Sequence, residues 1–414
     1  MVLAGGRVDE LSVLTAQRPK SAVPIWGMYR IIDFALSNMM HARIDVVGVL
    51  SQYRPYSLVT HLASGEPWDY VGRSRELRIL TPFKGMADSD WYKGTADALY
   101  QNLGFIERFA PELVLVVSGD HVYSMDYRRI IERHLATGAE LTIALKSVPR
   151  AEAHLYGTAA LDGEGRVVTY EEKAANPRST LASLTVYVFT TACLVERIRQ
   201  NAAEGTAFQV YSEIIPRLVG EGARVFGYVF NGYWRYARTL DSYYATNMEL
   251  LGDRAPDLAA WQVQTNRTPP RMGDRVPAQF LPTASVTSSL VCGDAVLGGR
   301  VERSILSPGV VVEPGATVRD SILFHGCTVA AGAVVDRAIL DKAVRIGADA
   351  QVGAGADAPN VRHPKALASG VTVIGKACQV PAKIRIGRGC ILAPGLAEAS
   401  LTSGEIPAGT TVEP

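Results

Sequence analysis

The sequence has 414 residues, 48% of them apolar and 20% charged, and its formal net charge is +1. This composition is ordinary for a globular protein, and the length suggests two domains of about 100–200 residues each. A nearly neutral chain lacks the basic excess that attracts nucleic acid or an anionic membrane, so we expect neither partner.

The beginning of the chain enters a motif directly, because the run LAGG starts at residue 3. This start leaves no room for a signal peptide, and no apolar run approaches the ~20 residues that span a bilayer. We therefore expect a cytoplasmic protein.

The N-terminal part alternates β-rich runs with amphipathic helical stretches, which is typical of a mainly parallel sheet with helices on both faces. In open α/β sheets ligands bind beyond the carboxyl ends of the strands, so the loops after Leu3 and Ser118 are the first candidates for a site. The sequence predicts strands at residues 46–51, 113–118, 141–148, 183–189 and 224–230 and helices at residues 31–40, 95–109, 126–137 and 194–201.

The pattern changes after residue 251. Residues 252–284 are rich in Pro, Asp and Arg and are typical of a linker. From residue 285 onward, apolar residues recur at steps of six with glycines between them, which predicts a parallel β-helix with triangular coils. Residues 356–370 break this period and are predicted to form a loop. The steps of six are carried by Val312, Val318 and Phe324, then Val329 and Val335, then Ile346 and Val352.

A glycine pair, Gly5 and Gly6, follows the first predicted strand. Glycines after a strand let backbone N–H groups approach a phosphate, and the nearby basic residues Arg18 and Lys20 neutralise its charge. Taken alone, the pair fits a structural turn equally well.

Several longer segments match a known family in order. Residues 29–38 read YRIIDFALSN, residues 91–98 read WYKGTADA and residues 118–123 read SGDHVY. Together with LAGG and with shorter segments at 156–157, 172–173 and 181–183, they resemble the ADP-glucose pyrophosphorylase (glucose-1-phosphate adenylyltransferase) family. The resemblance covers nearly the whole chain. It implies an α/β fold: a mainly parallel, Rossmann-like (GT-A-like) nucleotidyltransferase domain at 1–251, a linker at 252–284 and a left-handed parallel β-helix at 285–414.

The resemblance also implies an activity, the reaction of ATP with glucose 1-phosphate to give ADP-glucose and pyrophosphate in glycogen or starch biosynthesis. In-line attack on the α-phosphorus depends mostly on positioning and charge neutralisation. The implied roles are catalysis by Lys20 and Asp120, with Asp120 holding Mg²⁺; a glucose 1-phosphate pocket of Tyr92, Gly157, Glu172, Lys173 and Ser183; a nucleotide-phosphate loop of Gly5, Gly6 and Arg7; and contact of Arg30 with an allosteric sugar-phosphate effector. A turn cap is the minor alternative for Asp120, whereas Glu172–Lys173 would be interpreted as a solvated surface pair without the resemblance.

The sequence departs from the family on the triphosphate and metal side. Val8, Asp9 and Glu10 replace the family's Gly-Thr-Arg, which puts a β-branched residue and two negative charges where phosphate is expected. Tyr236 replaces the family's second metal carboxylate, and a neutral phenol is a poor Mg²⁺ ligand. Losing one preorganised charge partner costs ~10²–10³ in rate. These changes predict a weakly catalytic or regulatory subunit.

Alternatives stay open at this point. Asp241 lies close to Tyr236 in sequence, and its carboxylate would give an active adenylyltransferase with a rebuilt metal site. Some β-helix proteins are acyltransferases with a histidine base, for which His325 and His363 are the candidates. Long exposed β-helix edges favour oligomers, and the resemblance implies a homotetramer or a heterotetramer with a catalytic paralogue.

Overall fold

A computed structural model describes residues 1–6, 9, 11–82, 91–253, 255–267 and 276–413. By their packing these residues form two compact units. The first unit consists of Met1–Gly6, Phe34–Pro55 and Ala63–Trp234. The second consists of the described residues within Arg7–Asp33, Tyr56–Leu62 and Arg235–Pro414, and so includes N-terminal segments. The domain boundaries at residues 251 and 284 stay predictions.

The first unit is built on a nine-stranded sheet. Val2–Leu3 lies between Val46–Leu50 and Leu113–Ser118 and is parallel to both, which confirms the predicted parallel α/β sheet. Leu181–Thr190 runs antiparallel to Leu113–Ser118 and extends the sheet on the other side. The strands follow one another in the order Val167–Glu172, Gly157–Leu161, Leu181–Thr190, Leu113–Ser118, Val2–Leu3, Val46–Leu50 and Glu76–Leu80, while Leu141–Ser147 pairs with both Leu181–Thr190 and Val225–Val229.

The strand Leu113–Ser118 forms the middle of this sheet and is apolar almost throughout. Its residues 114–117 are all buried, since helices or loops cover both faces of a parallel sheet and no alternation with polar residues is needed. Its carboxyl end meets that of Val2–Leu3, and the Gly119 N–H donates to the Leu3 carbonyl at 2.9 Å. The two loops predicted to matter therefore start from the same edge of the sheet.

The predicted helices are present, with one interruption. The predicted helix at 95–109 is two helices, because Asn102 leaves helical geometry and its side-chain amide donates to the Ala98 carbonyl and to the Tyr92 hydroxyl. None of the described helices is long and apolar enough to cross a membrane. The α-helices are Ile32–His41, Tyr56–Leu62, Thr95–Gln101, Leu103–Phe109, Tyr127–Thr137, Thr191–Glu204, Ile215–Gly220, Leu240–Met248 and Leu258–Trp261.

Shorter elements complete the chain. The 3₁₀ turns are Ser12–Leu14, Lys20–Ala22, Glu66–Trp68, Ala153–Leu155, Glu249–Leu251 and Glu398–Ser400, and one π-helical turn is Val210–Ile214. The strands outside the two large assemblies are Pro24–Ile25, Tyr29–Arg30, Val122–Tyr123 and Trp234–Arg235.

The second unit contains the predicted left-handed β-helix, built from three parallel sheets. Its first described strand, Gln279–Phe280, precedes the predicted start at residue 285. The first sheet holds Gln279–Phe280, Val296–Leu297, Val311–Val312, Thr328–Val329, Arg345–Ile346 and Gln379–Val380. The second holds Ser285–Thr287, Arg300–Glu302, Thr317–Arg319, Val334–Asp336, Gln351–Ala354, Arg385–Gly387 and Glu405–Ile406. The third holds Leu290–Val291, Ile305–Leu306, Ile322–Leu323, Ala338–Leu340, Thr372–Ile374, Ile391–Leu392 and Thr411–Val412.

Apolar ladders fill the interior of the β-helix. In the third sheet Leu323, Leu340 and Ile374 lie in register on successive coils, and all three are fully buried. Each coil thus buries the apolar residue of the next, as the repeat predicts. The residues of the predicted steps of six are buried as well.

The predicted loop lies between Gln351–Ala354 and Thr372–Ile374, and the buried side chain of Asn360 anchors it. Its amide nitrogen donates to the carbonyls of Gly389 and Gly409 at 3.0 and 3.2 Å. Its amide oxygen accepts the backbone N–H groups at 362 and 363. The loop is therefore tied to the second unit by hydrogen bonds of Asn360.

We expect Leu340→Ala to lower the free energy of unfolding by about 2–5 kcal/mol, because it leaves a cavity in a fully buried ladder. Urea unfolding followed by circular dichroism measures the change. Val361→Ala is the control, since its side chain is 78% exposed and the expected change is within about 0.5 kcal/mol. Equal effects of the two substitutions would contradict the ladder.

Candidate functional site

The glycine pair lies at the edge of the first unit's sheet. A Cβ atom on Gly5 would come within 2.9 Å of the Gln52 backbone nitrogen, so glycine is required there by close backbone approach. A Cβ atom on Gly6 would meet nothing within 4 Å, so Gly6 borders open space. Arg7, predicted for the same phosphate loop, lies outside the described residues, as do Val8 and Glu10. The loop's role stays a prediction.

Asp120 follows Leu113–Ser118 at the same edge of the sheet. Its side chain is partly buried, and its Oδ1 atom accepts a hydrogen bond from the Ser118 hydroxyl. The Nε2 atom of His121 lies 3.5 Å from the same oxygen. The Trp234 indole N–H donates to Nδ1 of His121 at 3.3 Å. Indole is only a donor, so this contact places the proton of the neutral His121 ring on Nε2, facing Asp120.

Three of the residues predicted for the sugar phosphate meet around one tyrosine. Gly157 and Glu172 are cross-strand partners, and Tyr170 precedes Glu172 by two residues on the same face. A Cβ atom on Gly157 would lie 2.4 Å from the Tyr170 hydroxyl and 2.5 Å from Oε2 of Glu172. Only glycine leaves both groups in place. The Tyr170 hydroxyl in turn lies 3.5 Å from Glu172 Oε2.

Ser183 completes this cluster from the neighbouring strand. Its hydroxyl is 3.3 Å from the Tyr187 hydroxyl, and both groups influence the pKa of Tyr170. Burial raises the pKa of Tyr170 well above its ordinary value and that of Tyr187 to about 12, so both phenols keep their protons at neutral pH. We call Gly157, Tyr170, Glu172, Ser183 and Tyr187 the hydroxyl cluster.

The other two predicted pocket residues contact different partners. The Tyr92 hydroxyl donates to the Leu80 carbonyl at 3.1 Å and accepts from the Asn102 amide at 2.9 Å, and its side chain is buried. The Lys173 side chain is 53% exposed, and its ammonium lies 3.9 Å from Glu172 Oε1. The Tyr92 hydroxyl therefore supports the local structure through hydrogen bonds, while Lys173 lies at the solvent-exposed side of the hydroxyl cluster.

Sequence reasoning missed Tyr170 and Tyr187. Tyr170 lies two positions before Glu172, and the period of two along a strand was the available signal for it. Tyr187 lies four positions after Ser183 across an irregularity in the strand pairing, so the period of two does not predict its position.

In the second unit, Lys20 lies at the start of the buried 3₁₀ turn Lys20–Ala22, and its side chain is 2% exposed. Its ammonium nitrogen lies 3.5 Å from the ring centroid of Tyr236, well within the range of a cation–π contact. The guanidinium of Arg238 approaches the same ring at 5.3 Å. The phenol that replaces the expected carboxylate is thus in direct contact with the predicted catalytic lysine.

Arg30 belongs to a buried basic cluster of the second unit. The guanidinium of the neighbouring Arg18 forms a bidentate contact with Asp341, at 2.8 and 2.7 Å. The Arg30 backbone N–H donates to Asp33, whose carboxylate contacts Nε2 of His61 at 2.5 Å. Within the described part of the chain, one guanidinium nitrogen of Arg18 and one of Arg30 have no hydrogen-bond partner.

The lowered pKa values of its members show that the positive charges of this basic cluster lie close together. Burial, followed by the nearby Arg18 charge, lowers the pKa of Arg30 to about 10. Burial, followed by the guanidinium groups of Arg30 and Arg18, holds the pKa of Lys342 well below its ordinary value. Lys376 contributes a further positive charge. These four basic residues meet two carboxylates, Asp33 and Asp341, so positive charge is still in excess and the cluster favours an anion.

Comparison with known proteins decides the family. Residues 1–252 match the nucleotidyl transferase family, and residues 276–374 match the GlmU-like C-terminal hexapeptide family. A glucose-1-phosphate adenylyltransferase of Thermomicrobium roseum is 43% identical and aligns over 100% of this chain and 97% of its own. That of Thermotoga neapolitana is 40% identical (100% and 98%), and that of Acetivibrio thermocellus is 36% identical (95% and 92%). The chain belongs to the glucose-1-phosphate adenylyltransferase family.

Nucleotidyltransferases of this kind generally use Mg²⁺, for which the described residues of this chain offer Asp120 as the predicted ligand. Among them, no three His, Cys, Asp or Glu side chains lie together in a way that could hold a metal ion. Asp241, the candidate replacement ligand, is already engaged. Its two carboxylate oxygens accept the N–H groups of Ala368 and Ser369, at 2.7 and 3.3 Å, and the Ser369 hydroxyl, at 2.5 Å.

We expect Gly157→Ala to lower the free energy of unfolding by about 1–3 kcal/mol, because the new Cβ atom would displace Tyr170 and Glu172. Gly163→Ala in the same unit is the matched control, since its Cβ atom would meet nothing within 4 Å. Urea unfolding compares the two variants. A Gly157→Ala protein as stable as the Gly163→Ala protein would contradict the packing of the hydroxyl cluster.

Proposed function

We propose that this chain is a glucose-1-phosphate adenylyltransferase subunit of glycogen or starch biosynthesis that binds glucose 1-phosphate but catalyses weakly by itself. It would work in the cytoplasm as a regulatory member of a tetramer that includes an active paralogue. The observation that carries the proposal is the hydroxyl cluster, whose sugar-binding groups are kept while the expected second metal carboxylate is replaced by Tyr236.

The chemistry of the hydroxyl cluster suits a sugar. The Glu172 carboxylate accepts hydrogen bonds from sugar hydroxyls, while serine and tyrosine hydroxyls both donate and accept. Gly157 leaves room for the Tyr170 hydroxyl and the Glu172 carboxylate beside it, and the exposed ammonium of Lys173 is available to a phosphate oxygen. The relatives' name states that they act on glucose 1-phosphate, which agrees with this chemistry.

Weak turnover follows from the charge requirements of the reaction. An oxygen of the sugar phosphate forms a bond to the α-phosphorus of ATP, and the bond from that phosphorus to pyrophosphate breaks. Negative charge must be neutralised throughout, and a bound Mg²⁺ would supply much of that charge. Of the expected pair of metal-binding carboxylates, Asp120 is retained, whereas the second is replaced by the uncharged phenol of Tyr236. The loss of one such partner lowers the rate by ~10²–10³.

Two alternatives remain for comparison. A fully active enzyme with a rebuilt metal site needs a new carboxylate, and Asp241 would have to give up its hydrogen bonds to the 368–369 loop to serve. An acyltransferase would need a histidine base. His363 is exposed in the loop that Asn360 anchors, and no observation on the described residues favours it.

The basic cluster around Arg30 supports an allosteric role for the same subunit. Arg18, Arg30, Lys342 and Lys376 present more positive charge than Asp33 and Asp341 neutralise. Among the described residues, one buried guanidinium nitrogen of Arg18 and one of Arg30 have no hydrogen-bond partner. Guanidinium groups bind phosphate oxygens through short, charge-assisted hydrogen bonds. We propose that the effector is a sugar phosphate held by this cluster.

We expect the purified chain to release pyrophosphate from ATP and glucose 1-phosphate at least ~100-fold more slowly than the ~10 s⁻¹ typical of enzymes. Glucose 1-phosphate should still bind, as measured by titration calorimetry. Adding an active paralogue should restore turnover and change its response to effectors. Turnover near 10 s⁻¹ by the chain alone would favour the fully active alternative, and failure to bind glucose 1-phosphate would contradict the proposal as a whole.

We expect Arg30→Gln to weaken binding of inorganic phosphate to the basic cluster by about 10-fold or more, because one charge-assisted contact is lost. Calorimetric titration with phosphate measures the loss. Arg199→Gln is the matched control, since that side chain is 59% exposed and pairs with Glu107 on the surface. Equal affinities of the two variants would show that phosphate binds elsewhere.

A further inference from the structure

The Lys20 ammonium lies directly over the ring of Tyr236. We propose that Tyr236 is an autoinhibitory clamp, which holds the Lys20 ammonium on its ring and keeps it from phosphate-bearing ligands. This inference rests on the proposed function, in which Lys20 is the lysine that meets phosphate. Low turnover would then have two causes: the missing second metal carboxylate and the contact that holds Lys20 on the Tyr236 ring.

The strength of the contact comes from its distance and burial. The ammonium nitrogen lies 3.5 Å from the ring centroid, and the Lys20 side chain is 2% exposed. A cation–π contact is strongest when both partners are desolvated, because water no longer competes for the charge. An ammonium held in this way has to leave the ring before it reaches a ligand.

The backbone gives Lys20 little freedom to move away from Tyr236. The three residues of the turn Lys20–Ala22 are buried. The turn is closed by hydrogen bonds from the Ala22 N–H to the Pro19 carbonyl and from the Val23 N–H to the Lys20 carbonyl, both 3.0 Å long. Release of the ammonium therefore requires rotation of the side chain itself.

Tyr236 is held from both directions along the chain. Before it, the Arg235 guanidinium pairs with Glu249 at 2.9 Å. After it, Thr239 and Ser242 form a reciprocal capping box at the start of the helix Leu240–Met248. The ring is thus presented from an anchored segment, and Arg238 places a second cation 5.3 Å from its centroid. Removing the ring would leave two cations without the π face that they share.

The first test measures how fast Lys20 reacts with pyridoxal 5′-phosphate, a phosphate-bearing aldehyde. The amine and aldehyde lose water to form an imine, which added borohydride reduces to a stable secondary amine for peptide mapping. The full chain is compared with Tyr236→Leu, which removes the ring, and with Tyr236→Phe, which keeps it. The exposed Lys383 serves as the internal reference.

We expect Lys20 to react about 5- to 30-fold faster in Tyr236→Leu than in the unchanged chain, the range that loss of a partly or fully desolvated cation–π contact predicts. In Tyr236→Phe the rate should stay within about twofold of the unchanged chain, because phenylalanine offers a similar π face. The melting temperatures of all three proteins, measured in parallel, show whether each variant is folded.

The second test reports on the ring itself and does not depend on solvent access. In a chain with ¹³C-labelled lysine, the methylene group next to the Lys20 ammonium should resonate upfield of the other lysines, since it lies over an aromatic face. Lys20→Arg assigns the signal. The upfield shift should persist in Tyr236→Phe and disappear in Tyr236→Leu.

Three outcomes would overturn the clamp: Lys20 labelled as fast as Lys383 in the unchanged chain, Tyr236→Phe reacting like Tyr236→Leu, or no upfield lysine signal. These outcomes are separate from failure of the proposed function, which pyrophosphate release by the unchanged chain tests. Rapid turnover together with a slowly labelled Lys20 would contradict both the weak-subunit proposal and the inhibitory role of the clamp. It would still be consistent with the contact between Lys20 and Tyr236.

Discussion

The buried ion pair of Arg18 and Asp341 is the contact around which the second unit is organised. It joins an N-terminal segment to the β-helix across 323 positions of sequence, and almost no solvent reaches either side chain. A buried pair of this kind is costly to break, because one charge would be left unpaired in the interior. The pair therefore fixes the segment that carries Lys20 and Arg30 and allows positive charge to accumulate beside it.

That accumulation sets what the second unit can bind. Lys342 and Arg30 both have lowered pKa values, the sign of cations that are buried and close to other cations. Binding of an anion lowers the repulsion among these cations, whereas binding of another cation raises it. Tyr236 fits the same constraint, since its ring can contact Lys20 without adding the negative charge that would draw a metal ion. In the proposed function, the first unit would bind the sugar hydroxyls and the second unit would bind an anion.

Sequence patterns and family motifs predicted the main architecture well. Apolar runs and the steps of six gave the sheet and the β-helix, because those signals come from burial that repeats locally. The details of the sites depend on distant pairings and could not be read in this way. Nothing in the sequence near Asp241 shows that its carboxylate binds residues 368–369, and the break at Asn102 follows from its side chain competing for a helix carbonyl. The reason for glycine at 157 appears only when Tyr170 and Glu172 are placed beside it.

The loop anchored by Asn360 shows how the β-helix can change over evolution. Ile322 pairs with Ile339, 17 residues later, whereas Ile339 pairs with Val373, 34 residues later, so this coil carries 17 additional residues (34 less 17). In the third sheet the pairing continues on the far side, where Val373 pairs with Ile391 in the next coil, while the second sheet has a register shift between Val352 and Ala354. A coil corner is therefore a place where whole segments can be acquired or lost while the stack stays intact, which lets a family diversify its surface one corner at a time.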